Sequence, residues 1–205
     1  MKPVKDTALP DIEKTKLSVL IAEDNAVSQR HLIDRLNSLG YDVVGCASNG
    51  EDAVKMVCEK KPQLVIMDVM MPKMDGIEAA KQITAHSPVP IILLTGKSSD
   101  ELADRAIEAG VFAYLIKPVT KKDLIPAIKL ALSRFDEFKK LEKEVYDLKE
   151  VLETRKLVEK AKGILMKRCN IHEDEAFKLL QSYSQNENKK IRDIADSIIT
   201  ASRFM

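Results

Sequence analysis

Tryptophan is absent, and aromatic residues make up only 4% of the 205 residues. A carbohydrate platform or a surface for stacking several bases is therefore not expected. Cysteine is scarce: Cys46, Cys58 and Cys169 form no CxxC pair and are odd in number. That pattern fits a reducing cytoplasm better than a disulfide scaffold. No run approaches about 18 consecutive apolar residues, which excludes a membrane span. Residues 1–16 mix Pro, Lys, Asp and Thr without an apolar stretch, so they are no secretory signal, and 1–15 read as a flexible tail. An excess of one charge sign is also missing. Lys+Arg number 33 against 32 Asp+Glu, a net +1. This excludes a uniformly basic DNA-coating protein and an acidic disordered tail, but not a local basic patch.

What is present is ordered. Hydrophobic residues are 45% and charged residues 32%, as in a soluble globular protein of one large or two small domains. Five short apolar runs recur: Leu17–Ala22, Tyr41–Gly45, Leu64–Met67, Ile91–Leu94 and Phe112–Ile116. They are too short for buried helices and suit parallel strands covered on both faces. Helical patterns lie between them at Ser28–Leu39, Gly50–Cys58, Gly76–Ala85 and Ser99–Ala109, with Gly40 and Gly110 at C-cap positions. Strand and helix alternating five times predict a doubly wound α/β domain over 16–134.

From Leu124 to about Leu152 there is no Gly, and Pro126 is the one Pro. Asp123 as N-cap would place Pro126 in the tolerant first turn. Phe138, Leu141, Val145, Leu148 and Leu152 follow in steps of 3 and 4, the seam of a coiled coil over 135–153. The alternative is a single solvated helix. Beyond Thr154 three further helices are expected: Arg155–Arg168, Glu173–Gln185 capped by Asn170 or His172, and Ile191–Ala201. They make a small helical domain over 154–205.

Glu23 and Asp24 follow the first strand, and Asp68 ends the third. Carboxyl ends of strands form the ligand crevice of an open α/β sheet. Clustered carboxylates there repel unless a cation joins them, and oxygen ligands suit Mg²⁺. Thr95 and Lys117 end the fourth and fifth strands. A hydroxyl and an ammonium converging on a metal-holding carboxylate would stabilise a phosphoryl group on it.

The segments Ala22–Asn25, Met67–Ile77, Leu94–Gly96 and Tyr114–Pro118 resemble the receiver domain of two-component response regulators. The resemblance implies a five-stranded flavodoxin-like fold with Asp68 as phospho-acceptor. It implies Mg²⁺ held by Glu23, Asp24, Asp68 and the Met70 backbone carbonyl. Thr95 and Lys117 would bind phosphoryl oxygens, Thr95 and Tyr114 would act as the switch, and the Lys117–Pro118 peptide would be cis. A plain half-buried strand residue is the other reading of Tyr114. The partner would be a histidine kinase. Such a protein is no enzyme beyond accepting phosphate and hydrolysing its own acyl phosphate. Met70 and Lys97 flank the site, and the apolar Met70 should not help an attacking water.

Residues 154–205 carry eleven basic against seven acidic side chains, so the tail is +4 and the rest −3. Phosphate neutralisation is one use of that charge, a solvated helix face the other. The segments Val158–Met166, Glu173–Leu180 and Ile191–Ala195 resemble the ANTAR domain of transcription antitermination regulators. This implies a three-helix RNA-binding domain, with Lys160, Lys162, Gly163, Lys167, Arg168, Lys189 and Lys190 toward RNA. Gly163 inside a helix should have a packing or close-approach reason. Phe177 reads as core, with base stacking the alternative. Gln181 stands where the family often carries Arg. The combined expectation is a phosphorylation-dependent antiterminator, homodimeric when phosphorylated, that binds RNA stem-loops. A DNA-binding regulator would need an exposed recognition helix, which the largely apolar Ile191–Ala201 does not offer. An interaction-only protein is the third possibility.

Overall fold

The computed structural model describes residues 16–96 and 100–202. The expected tail at 1–15 and Lys97 lie outside them. Five strands, β1 (Ser18–Ala22), β2 (Asp42–Ala47), β3 (Leu64–Asp68), β4 (Ile91–Thr95) and β5 (Ala113–Ile116), alternate with helices. The helices are α1 (Ala26–Ser38), α2 (Gly50–Lys60), α3 (Gly76–His86), α4 (Asp100–Glu108) and α5 (Lys121–Cys169). The strands form one parallel sheet in the order β2-β1-β3-β4-β5. One face packs on α2, α3 and α4 through Leu20, Val65, Met67, Ile83 and Ile91. The other packs on α1 and α5 through Val19, Ile66, Leu36, Leu124 and Ile128. Each such aliphatic side chain contributes roughly 1.5–3 kcal/mol by leaving water.

The expectation of strands covered on both faces holds for the central three. On the edge strand β5 the burial alternates, and Tyr114 and Ile116 point outward. An edge strand has only one sheet neighbour, so fewer helices shelter it. Gly40 and Gly110 have φ of 85° and 73°, the left-handed conformation that ends a helix cheaply at glycine.

Helix α5 departs from expectation twice. The cap is Thr120: Asp123 Oδ2 accepts from its backbone N–H at 2.9 Å and its hydroxyl at 2.6 Å. Asp123 therefore sits inside the first turn, where a carboxylate favours the helix dipole, and Pro126 falls in the second turn. There the ring removes the N–H that would have reached the Lys122 carbonyl. The second departure is that no break separates the seam from the next helix. Lys121–Cys169 is one helix of 49 residues. Thr154 interrupts nothing, because the chain from 152 to 156 contains neither Gly nor Pro and helical hydrogen bonds propagate through it.

The chain forms two compact units that divide between Glu137 and Phe138. In the second, α6 (Glu173–Asn186) and α7 (Ile191–Ser202) pack with the end of α5. Val158, Ala161, Leu180, Ile194, Ala195 and Ile199 form its core. His172 is the N-cap of α6, and Glu175 Oε2 accepts from its backbone N–H at 3.0 Å. No helix among the described residues is long and apolar enough to cross a membrane.

Candidate phosphoryl and metal site

Parallel strands in this order bring the ends of β1, β3, β4 and β5 to one rim. Glu23, Asp24 and Asp68 have carboxylate oxygens within 4.8 Å of one another. Glu23 is 2% and Asp68 6% exposed, while Asp24 is open to solvent. Lys117 joins them: its Nζ donates to Glu23 Oε2 at 2.6 Å and to Asp68 Oδ2 at 2.7 Å. Its backbone N–H donates to the Thr95 carbonyl at 2.7 Å, so the end of β4 positions it. Burial pulls the Lys117 pKa down, but hydrogen bonds and charge from Asp68 and Glu23 outweigh this and raise it above 10.5. Lys117–Pro118 is a cis peptide. Thr95 is buried at its strand's end. Met70 donates its N–H to Asp68 Oδ1 at 3.3 Å, while its side chain is 74% exposed.

These oxygen donors suit a hard cation. Three carboxylates against one ammonium leave two negative charges in a largely buried place, and that surplus matches Mg²⁺. Supporting residues escaped the sequence reading. Gln29 Nε2 donates to the backbone carbonyls of Glu23 at 3.1 Å and Ala47 at 3.4 Å. Asn25 caps α1 by accepting from Val27 and Ser28 N–H at 3.0 Å. Asp75 caps α3, accepting from Glu78 N–H at 2.7 Å, and takes Arg105 Nη2 at 3.3 Å. The cap pattern at Asn25 and Asp75 was available as a signal; the Gln29 contact spans strands and was not.

Tyr114 lies exposed on β5, paired with Leu93, while Thr95 pairs with Ile116. Thr95 and Tyr114, the expected switch residues, are thus on adjacent strands.

The tail's expected contacts separate. Lys160, Lys167 and Lys190 are exposed. Arg168 is exposed and donates to the Ser202 carbonyl at 3.3 Å. Lys189 pairs with Glu187 at 2.7 Å, which holds its pKa up. Lys162 contradicts the expectation of a free phosphate donor. It is 7% exposed, and its Nζ reaches Glu159 at 2.9 Å and Glu173 at 2.7 Å. Both carboxylates compensate the ammonium, Glu173 first, and raise its pKa. Among the described residues Gly163 has no packing reason: a Cβ there meets nothing within 4 Å. Phe177 is 38% exposed rather than core, with Lys162 Nζ 6.0 Å from its ring centroid. Ala176 and Leu180 take the core positions.

A parallel five-stranded sheet with an acid trio, a threonine and a lysine at its rim defines a phosphoacceptor receiver. Comparison with known families agrees. Residues 19–129 match the response regulator receiver domain and residues 146–199 the ANTAR domain. The transcriptional regulatory protein PdtaR of Mycobacterium tuberculosis is 46% identical over 181 residues, covering 88% of each chain. The solved receiver domain of a modulated diguanylate cyclase from Desulfovibrio desulfuricans is 36% identical with a TM-score of 0.55. It covers 58% of this chain and 95% of its own. The chain belongs to the two-component response regulator family and carries an ANTAR output domain. It is a phosphorylation-dependent regulator that binds RNA and acts in transcription antitermination.

Proposed function

We propose that Asp68 accepts the phosphoryl group, that Glu23, Asp24, Asp68 and the Met70 carbonyl hold Mg²⁺, and that the phosphorylated chain pairs through α5. The observation that carries the site is the Lys117 ammonium bridging Glu23 and Asp68 inside the acid trio. A buried Asp68 oxygen attacks phosphorus, and the bond from phosphorus to the imidazole nitrogen of the kinase's phosphohistidine breaks. Mg²⁺, when bound, neutralises charge on the transferring group. Lys117 exchanges a carboxylate oxygen for a phosphoryl oxygen, and the Thr95 hydroxyl donates to another. Thr95 moving toward the phosphate vacates space into which Tyr114 turns. Hydrolysis of the acyl phosphate needs water, and the exposed thioether of Met70 offers it no base. The chain performs no other catalysis.

Output follows from α5. Phe138, Leu141, Val145, Leu148 and Leu152 are 45–64% exposed along one stripe, a larger apolar row than an isolated helix leaves in water. A second copy covers it, and the pair presents two tail domains to two RNA stem-loops, whose splayed bases suit a helical reader. Filter binding to RNA hairpins and to duplex DNA, with and without phosphodonor and Mg²⁺, tests this. Preference for duplex DNA, or equal binding without phosphate, would overturn it.

A further inference from the structure

The loop between β3 and α3, residues 69–75, carries the Met70 carbonyl that the metal reading requires. Its first half is tied to the site itself. Val69 N–H donates to the Leu94 carbonyl at 2.9 Å, and Gly76 N–H closes back on the Val69 carbonyl at 2.8 Å. The second half is held differently. Lys73 sits at φ 65°, Met74 N–H donates to the Pro72 carbonyl at 2.8 Å, and Gly50 N–H donates to the Met74 carbonyl at 3.1 Å. Gly50 is the buried first residue of α2. A Cβ there would lie 2.6 Å from the Met74 carbonyl oxygen and 2.9 Å from Met74 Cβ and Cγ. The nearest obstacle is backbone, so helix or loop must shift to admit it. Asn49 orients the donor: it caps α2 by accepting from Asp52 N–H at 3.0 Å, and its Nδ2 donates to Asp52 Oδ2 at 2.7 Å.

We propose that Gly50 is a positioning residue for the metal, setting the β3–α3 loop, and with it the Met70 carbonyl, through its contact with Met74. This rests on the Mg²⁺ reading above. Asp68 ends β3, and Glu23 and Asp24 follow β1 within two residues, so the sheet holds the side-chain ligands near its rim. The Met70 carbonyl is the one backbone ligand, carried by the β3–α3 loop, and Mg²⁺ demands near-octahedral oxygens at about 2.0–2.1 Å. A loop displaced to admit a methyl group therefore misplaces one ligand without touching the acids.

The test is calorimetric titration of the full chain with Mg²⁺ alone. Gly50→Ala should bind about tenfold more weakly, the size of an outer-contact effect on metal affinity. Its Met71 and Met74 amides should exchange hydrogen faster. Gly45→Ala is the control, because its Cβ would meet only side-chain atoms of Lys60 and Met56, at 3.2 Å or more, and it should bind Mg²⁺ as the wild type does. If Gly50→Ala does not fold, Asn49→Ala and Asn49→Ser take its place. Alanine removes the cap and should lower affinity, whereas serine keeps an acceptor and restores it. A folded Gly50→Ala with wild-type affinity, or an Asn49→Ala with wild-type affinity, overturns the proposal. A wild-type chain that binds no Mg²⁺ overturns the metal reading beneath it, a separate and recognisable result.

Discussion

Two lysines in this chain each bridge two carboxylates at nearly the same distances. Lys117 holds Glu23 and Asp68 at 2.6 and 2.7 Å; Lys162 holds Glu159 and Glu173 at 2.9 and 2.7 Å. The burial is inverted. At the receiver rim the acids are buried and the lysine is the more open partner, at 26%. In the tail the lysine is buried and its acids are 56% and 65% exposed. Water screens the surplus negative charge of the second triad far more than that of Glu23 and Asp68 in the first. A third acid, Asp24, adds to the receiver group. The same contact geometry thus lies in a candidate cation site in one place and in a structural clasp between α5 and α6 in the other. Ion-pair distance does not distinguish function; the side that is desolvated does.

The comparison breaks most sharply at Asp68. Asp68→Asn should abolish acyl-phosphate formation from a small phosphodonor with Mg²⁺, because an amide is neither a nucleophile nor a good Mg²⁺ ligand. Intact-mass measurement reads it, and undiminished phosphorylation would place the acceptor elsewhere. The next effect is on assembly. Replacing Val145 and Leu148 with Lys buries charge in the seam and should leave the phosphorylated chain monomeric, with Asp68 phosphorylation intact. Each apolar pair contributes only on the order of 1.5–3 kcal/mol against several kcal/mol of lost freedom, so two changes suffice. Sedimentation with and without phosphodonor decides; a wild type that stays monomeric when phosphorylated would refute the seam.

A smaller effect separates clasp from contact in the tail. Lys189→Ala with Lys190→Ala should flatten the salt dependence of RNA binding by about one unit of slope per lost phosphate contact. Lys162→Ala should leave that slope unchanged and lower the melting temperature of the helical domain, since it strands Glu159 and Glu173. The opposite pattern would return Lys162 to the interface.

The least effect is on pH. The Lys162 ammonium holds Glu173 below its ordinary 4.5. The unfolded chain therefore binds more protons at Glu173 in acid than the folded one. The stabilisation is present above 4.5 and fades as pH falls through the lowered folded value. Glu173→Gln should remove that part of the acid sensitivity, measured as melting temperature against pH between about 5 and 3. Exposure of both acids keeps the difference small. Identical acid profiles for the two chains would show that the clasp does not titrate with folding.

Much of this was legible before any coordinates. The bounds of the five strands and of α1 to α4 fall within two residues of those read from apolar runs and glycines, because backbone propensity and hydrophobic period act locally. The site was legible too: Asp68 and Thr95 end strands, Glu23, Asp24 and Lys117 follow strands within two residues, and a parallel sheet has one rim for strand ends. The motif around Asp68 is contiguous and therefore readable. In α5 the sequence determined helix throughout but not where it begins, since Thr120 and Asp123 are both capping types and only their mutual hydrogen bonds choose. Tertiary structure alone decided the rest. Lys162 and Lys160 are equally basic in sequence, yet Glu173, eleven residues along the chain from Lys162, bonds to it alone. Phe177 is displaced from the core because Ala176 and Leu180 fill it. Gly50 is an ordinary helix start until Met74 arrives from another loop. Charge, size and period are properties of residues. Which charge is desolvated, and which glycine is crowded, are properties of the neighbours that folding supplies.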